Sequence, residues 1–244
     1  MVDLHAHILP GIDDGAADIE ESLQMCRLAY QDGIRTIVAT PHIGRFPNTR
    51  EIILEKTEEL KLLTKADNIN ITLLSGSDLE FSPEIFSLRD NKILFTINNS
   101  RYLLLDTPAF LLPPHTSNLI ERLINKGIIP IISHPERCLQ IQQDLTIVYD
   151  MISAGAVIQV TAASISGKMG SKAYSTALKM LKFSLIHLIA TDMHGLNKRP
   201  PILSEAQEKA AKIIGRQDSL DMVTTTPLNI IEDKELNLPK PKRP

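Results

Sequence analysis

Seven short apolar runs recur along the chain, at 2–4, 36–39, 71–74, 102–105, 128–132, 156–160 and 186–190, with longer helix-like segments between them. Each run is rich in leucine or β-branched residues and apolar on both faces. A strand with one face in water alternates apolar and polar residues, so these runs read as parallel strands covered on both sides. Asp18 can cap a helix over 19–31, with Ile19, Leu23, Cys26 and Tyr30 on one face and Gly33 closing it. Thr49 can cap a second helix through Lys65, whose outer side carries Glu51, Glu55, Glu58 and Glu59. Segments 116–126, 142–154, 170–182 and 204–215 have similar patterns. Strands alternating with helices predict an α/β protein with a parallel sheet, either open and doubly wound or closed into a barrel. No sequence repeat and no Gly/Ser/Pro-rich linker interrupts the alternation, so residues 1–231 are expected to form one domain. Residues 232–244 are charged, proline-punctuated and aperiodic, and are expected to be a flexible tail.

Composition closes off several function classes. The formal charge is −3 and tryptophan is absent, which argues against a nucleic-acid groove and against an aromatic platform for single strands. No apolar run approaches the roughly 18 residues of a membrane span. No basic region precedes a greasy stretch, and the two cysteines, Cys26 and Cys138, are too few for a disulfide framework. The expectation is a reduced, cytoplasmic protein that does not span a membrane.

The chemistry falls where the apolar runs end. The first runs into His5-Ala6-His7, the second into Thr40-Pro41-His42, and the third into Ser75-Gly76-Ser77-Asp78-Leu79-Glu80. The fourth ends in Asp106, the fifth in Ser133-His134-Pro135-Glu136-Arg137, the sixth in Thr161, and the seventh in Thr191-Asp192-Met193-His194. The C-terminal rim of a parallel sheet is where such folds build their sites. Residues two apart on a strand share a face, so His5 and His7 can hold one cation, and Asp192 and His194 repeat the geometry. In a barrel the first and last strands are neighbours and the two pairs converge. His115 and His187 lie outside such clusters and read as ordinary structural histidines. His5, His7, Asp14, His42, Glu80, Asp106, His134, Asp192 and His194 make nine candidate metal ligands, enough for two or three ions. A nitrogen and oxygen set without cysteine suits Mn²⁺, Fe or Zn²⁺ at an open catalytic site, and such clusters drive in-line displacement at phosphorus.

At these residues the chain resembles the PHP (polymerase and histidinol phosphatase) superfamily. Within it, the chain is similar to the bacterial manganese-dependent tyrosine-protein phosphatases of capsule and exopolysaccharide operons. The matching stretches are 3–15 (Asp3, His5, His7, Asp13, Asp14 and Gly15 among them), 39–42, 75–80, 133–137 and 191–194, followed by Arg199-Pro200. The resemblance implies a distorted (β/α)₇ barrel of the TIM type carrying up to three divalent ions, Mn²⁺ first among them. By position, one ion would take His5, His7, Glu80 and Asp192. A second would take Glu80 as a bridge, with His134 and Asp106, and a third would take Asp14, His42 and His194. Asp106 stands where the family usually has glutamate, one methylene longer. Arg137 and Arg199 match the arginines that hold the substrate phosphate; the structural alternative for Arg137 is a rim ion pair with Glu136. Asp13 can orient a ligand or cap the Asp-Gly turn. The implied substrate is a phosphotyrosine protein, by resemblance a bacterial tyrosine autokinase controlling polysaccharide export. A small phosphate ester such as histidinol phosphate is the alternative substrate, and a metal-loaded binding module without turnover is the non-enzymatic one. Cysteine-based phosphoryl chemistry is excluded by spacing, because the residues six positions after Cys26 and Cys138 are Asp32 and Asp144, not arginine.

Overall fold

The structure, a computed structural model, describes residues 1–86 and 94–244. Its strands are β1 (Val2–Ala6), β2 (Thr36–Ala39), β3 (His42–Ile43), β4 (Thr72–Ser75), β5 (Asp78–Glu80), β6 (Tyr102–Asp106), β7 (Ile129–Ser133), β8 (Val157–Thr161) and β9 (Leu188–Ala190). Seven of these answer to the seven apolar runs. β3 and β5 continue β2 and β4 beyond short breaks at Thr40-Pro41 and Gly76-Ser77. All pairings are parallel, in the orders β1-β2-β4 and β3-β5-β6-β7-β8-β9. The ring closes where Asp192 N donates to His5 O (2.9 Å), His7 N donates to Met193 O (3.1 Å), and Ala6 bridges Met193. The fold is therefore a distorted seven-position parallel barrel, and the open-sheet option falls away.

The helices are α1 (Ile19–Gln31), α2 (Arg50–Ala66), α3 (Thr116–Ile124), α4 (Leu139–Gln143), α5 (Thr146–Ser153), α6 (Ala162–Ser166), α7 (Ser171–Lys182), α8 (Ser204–Ile214), α9 (Arg216–Asp221) and α10 (Thr225–Ile231). Asp18 and Thr49 cap α1 and α2 by accepting from Glu21 N and Ile52 N, as their positions predict. The buried stripe of α1 is Ser22, Leu23, Met25, Cys26 and Ala29. Tyr30, expected on that face, is instead exposed, with the Arg35 guanidinium 4.0 Å above its ring. The single helix expected over 142–154 is two, because Asp144 turns extended and its carboxylate accepts from Thr146 N and Oγ1.

Two apolar layers hold the barrel. Val2, Leu4, Val38, Tyr102, Leu104, Ile131, Val157 and Leu188 fill its lower interior, with Ile97 and Ile230 plugging the floor. A larger shell packs the helices onto the outer strand faces. Residues 232–244 have no regular structure and are seated under the barrel. Tyr102 Oη donates to Lys234 O (2.6 Å), Arg101 holds Asp233, Leu236 and Leu238 pack on the floor, and Lys242 N donates to Phe183 O (2.8 Å). Two leucines in a proline-stiffened segment supply the apolar area that anchors it, which charge content alone conceals.

Candidate metal centre

The polar half of the interior begins at an irregularity in β1. Val2 and Asp3 pair with Thr36 and Ile37, but Ala6 pairs with Ala39, so β1 carries one residue more than β2 across the same interval. Such a bulge resets the alternation of side chains. Val2 and Leu4 enter the apolar floor, and His5 and His7 then turn into the same interior one level higher. Asp3, fully buried, accepts from Thr191 N (2.9 Å) and Thr191 Oγ1, tying β1 to the segment after β9. Burial outweighs these hydrogen bonds and raises its pKa to about 6.

The orientation of each imidazole is set from behind. His5 Nδ1 lies 2.9 Å from Gln159 Oε1, an acceptor, so Nδ1 carries a proton and Nε2 is the nitrogen turned to the interior. His7 Nδ1 lies 2.7 Å from Asp13 Oδ2, with the same consequence. His194 Nδ1 lies 2.9 Å from Asp192 O. The Nε2 atoms of His5 and His7 face each other at 3.1 Å, a hydrogen-bond distance. The His7 ring centroid is 3.9 Å from that of His194 and 4.5 Å from that of His42. The turn Asp13-Asp14-Gly15 crosses over His7 so closely that a Cβ on Gly15 would lie 2.0 Å from His7 O. Asp13 thus performs both functions expected of it, orienting His7 and accepting from Gly15 N (3.0 Å).

Carboxylates interleave with the rings. Asp192 Oδ1 is 3.4 Å from His5 Nε2, 3.5 Å from His7 Nε2 and 3.4 Å from His194 Nδ1. Its Oδ2 accepts from Arg137 Nη1 at 2.8 Å and from Arg199 Nη1. Asp78 Oδ2 is 3.4 Å from His5 Nε2 and 3.3 Å from His42 Nδ1, within ion-pair range but without a well-directed hydrogen bond. Asp106 Oδ1 is 3.2 Å from His134 Nε2, and Asp14 Oδ1 is 3.5 Å from His42 Nε2 and 3.4 Å from His194 Nε2. Three sets have ligand atoms within 4.8 Å of one another: His7, Asp14, His42 and His194; His5, His7 and Asp192; and His42, Asp78 and Asp106.

The electrostatics follow from this crowding. Burial lowers the pKa of His5, but the Asp192 and Asp78 carboxylates overcome it and leave the value at about 9. His7 is driven well down by burial and by the neighbouring His194, His5 and His42. Asp192 is held at about 2, because His5 and Arg199 outweigh its burial. His134 (φ 36°) and Asp192 (φ 51°) both sit in the left-handed region, which costs a non-glycine residue about 1–3 kcal/mol and collects at functional sites.

Seven of the nine sequence-predicted ligands fall in these three sets. His134 joins them through Asp106. Glu80 does not: it is exposed on the cleft wall and outside all three sets, whereas Asp78, two residues earlier, is fully buried at their centre. The spacing Asp78-x-Glu80 repeats His5-x-His7, so the sequence offered Asp78 as readily as Glu80. Gln159 and its role behind His5 carried no such signal. The rim pair Arg137–Glu136 does not form. Glu136 is fully buried, its Oε1 accepting from Ser164 Oγ (2.6 Å) and Thr161 N (3.2 Å), and Arg137 goes to Asp192. His187 is the structural histidine expected, with Nδ1 accepting from Ile158 N (3.0 Å), and His115 precedes α3.

The donor set fits divalent cations. Both Asp78 oxygens are buried without hydrogen-bond partners, and the Nε2 atoms of His5 and His7 converge beside Asp192 Oδ1. Buried polar atoms left in this state cost several kcal/mol in aggregate unless a cation occupies the gap between them, at about 1–3 kcal/mol each. Above them opens a cleft of about 850 Å³, lined by Asp14, His42, Asp106, His134, Arg137 and Arg199, among others.

A closed parallel barrel with imidazoles and carboxylates gathered at its C-terminal rim defines a metal-dependent barrel hydrolase. The chain belongs to the CpsB/CapC family of capsular polysaccharide synthesis, whose model matches residues 1–232. It is 37% identical to CapC of Staphylococcus aureus over 207 residues (84% of this chain, 81% of that protein). It is 33% identical to the tyrosine-protein phosphatase YwqE of Bacillus subtilis over 201 residues (82% and 79%). Among solved structures, a chain from the work on YwqE of Bacillus subtilis and CpsB of Streptococcus pneumoniae, described as unique metal-dependent tyrosine phosphatases, superposes with a TM-score of 0.94. It shares 30% identity, with 100% of this chain and 99% of that one covered. The phosphotriesterase of Mycobacterium tuberculosis shares the barrel alone, with a TM-score of 0.54, 11% identity, and 95% and 94% covered.

Proposed function

We propose that this protein is a metal-dependent protein-tyrosine phosphatase, a phosphoric monoester hydrolase acting in capsular or exopolysaccharide synthesis. The observation that carries the reading is Asp192, whose one oxygen faces three histidines while the other is held by two arginines. Cation ligands and guanidinium forks thereby converge on one point of the cleft, the arrangement a phosphate dianion requires. His5, His7 and Asp192, with His42, Asp78, Asp106 and His134, and Asp14 with His42 and His194, would hold the ions. Divalent ions bound there supply charge neutralisation and a lowered pKa for coordinated water.

The remaining work falls to the chain's own side chains. Arg137 and Arg199 turn from Asp192 toward the non-reacting phosphate oxygens and fix the phosphorus for in-line attack. Gln159 and Asp13 hold a proton on Nδ1 of His5 and His7, so that Nε2 is the nitrogen each offers to a cation. Phenolate leaves readily at a reference pKa of about 10, so no strong general acid is required of the protein. The ions are Mn²⁺, the substrate is phosphotyrosine on a bacterial tyrosine autokinase, and the site of action is the cytoplasm. Relatives named as tyrosine-protein phosphatases support phosphotyrosine as the substrate, and the family's description supports the setting in capsule synthesis. Two free buried cysteines fit a reducing compartment, and among the described residues no helix is long and apolar enough to cross a membrane.

The test is metal analysis of the purified protein together with hydrolysis of phosphotyrosine peptides and small alkyl phosphates in Mn²⁺. Bound transition metal and a chelator-sensitive preference for the peptides are expected. Activity that survives strong chelation, or a preference for the alkyl esters, would refute the reading.

A further inference from the structure

The loop after β6 places in the cleft a side chain that neither cation nor phosphate binding needs. Phe110 is 73% exposed and is the one phenyl ring among the described residues lining the cleft, whose walls also carry His134, Arg137, Asp192 and Arg199. A large apolar side chain held in water forgoes about 25 cal/mol per Å² of buried area. Its backbone is nevertheless well anchored. Ala109 O accepts from Leu139 N (2.9 Å), Phe110 O accepts from Gln140 N (3.1 Å), and Gln140 Oε1 accepts from Leu112 N (2.9 Å). Cys138 Sγ also reaches Phe110 O at 3.6 Å. Pro108 and Pro113 restrict the chain on either side.

These bonds all run to residues 138–140, which directly follow Arg137. The guanidinium and the phenyl ring thus enter one cleft from two segments tied to each other. A phosphate monoester of a phenol has the matching shape, with a dianion at one end and a flat apolar ring beside it. An alkyl phosphate has no such face. We infer that Phe110 is a specificity-determining residue, whose ring packs against the phenyl ring of the substrate while Arg137 holds its phosphate. The inference rests on the phosphatase reading above and assigns to Phe110 the selection of aryl over alkyl phosphates. Leu111, 71% exposed on the same loop but not lining the cleft, provides the internal control.

The experiment uses Mn²⁺-loaded wild type, Phe110→Ala, Phe110→Tyr and Leu111→Ala, with phenyl phosphate as substrate and inorganic phosphate as competitive inhibitor. Loss of one aromatic contact should raise the Phe110→Ala KM about tenfold with kcat held within about twofold. The inhibition constant of phosphate should not move, because that ligand has no ring. Phe110→Tyr should restore KM, and Leu111→Ala should match wild type. An unchanged KM in Phe110→Ala overturns the inference, as does a phosphate inhibition constant that rises in step with KM, which would mean that Arg137 had been displaced. A wild type that hydrolyses no phenyl phosphate in Mn²⁺ sinks the phosphatase reading and this inference with it. An active wild type with an indifferent variant sinks the inference alone.

Discussion

Asp13 touches no predicted substrate, yet replacing it by asparagine should disable the cluster. In the wild type its Oδ2 accepts from His7 Nδ1 (2.7 Å) and His42 N (3.2 Å), and its Oδ1 accepts from Gly15 N (3.0 Å). Every one of these partners is a donor. Asparagine offers one acceptor oxygen and one NH₂, so either rotamer sets a donor against a donor. If the amide oxygen faces Gly15, the NH₂ faces His7 Nδ1, which must become an acceptor. The His7 proton then moves to Nε2, the nitrogen 3.1 Å from His5 Nε2, and occupies the lone pair a cation needs. If the oxygen faces His7, the Gly15 turn over the ring loses its bond. A charge-assisted hydrogen bond is worth about 1.5–3 kcal/mol, or roughly 10–100-fold in affinity, the range seen when a group behind a metal-bound histidine is removed. The assay is Mn²⁺ titration of metal-stripped protein against a competing chelator, with phenyl phosphate turnover at limiting and saturating Mn²⁺. Weaker binding, with turnover partly recovered at saturation, is the expected result. Mn²⁺ affinity and turnover indistinguishable from wild type would refute the argument that Asp13 sets the His7 tautomer.

Burial lowers the His187 pKa from 6.5 to about 4, so the native state refuses a proton that the unfolded chain accepts. Stability should therefore fall as pH drops below about 6.5, by about 2 kcal/mol at pH 5, levelling near 4. Urea denaturation should show this slope flattened in His187→Asn, and identical slopes would sink the assignment. Burial raises the Cys26 thiol to about 12, leaving it inert. Cys26→Ser with Cys138→Ser should keep phenyl phosphate turnover, and its loss in a folded, metal-loaded protein would contradict a cysteine-free mechanism. Deleting residues 232–244 should lower stability by roughly 2–3 kcal/mol, since half-buried Leu236 and Leu238 leave the barrel floor, while Mn²⁺ binding persists. An unchanged melting temperature would show that the segment contributes nothing.

The strands and the chemistry at their ends were legible because both are local signals. Apolar runs covered on two faces have a composition of their own, and His5-x-His7 or Asp192-x-His194 shows in three consecutive residues. Caps at Asp18 and Thr49 are equally local. What stayed hidden depends on register and on partners distant in sequence. The bulge that turns both Leu4 and His5 inward arises from how β1 pairs with β2, and no residue in β1 announces it. That Asp78 is buried and Glu80 exposed depends on how far β5 reaches up the barrel wall, a matter of its pairing with β6. Gln159 finds His5 across 154 positions, and Asp192 finds Arg137 across 55. The seating of residues 232–244 needed the floor to exist before two leucines could have somewhere to go. Periodicity thus determines which residues can face inward. Only the closed ring determines which of them meet, because the last strand must come back beside the first before their side chains share one interior.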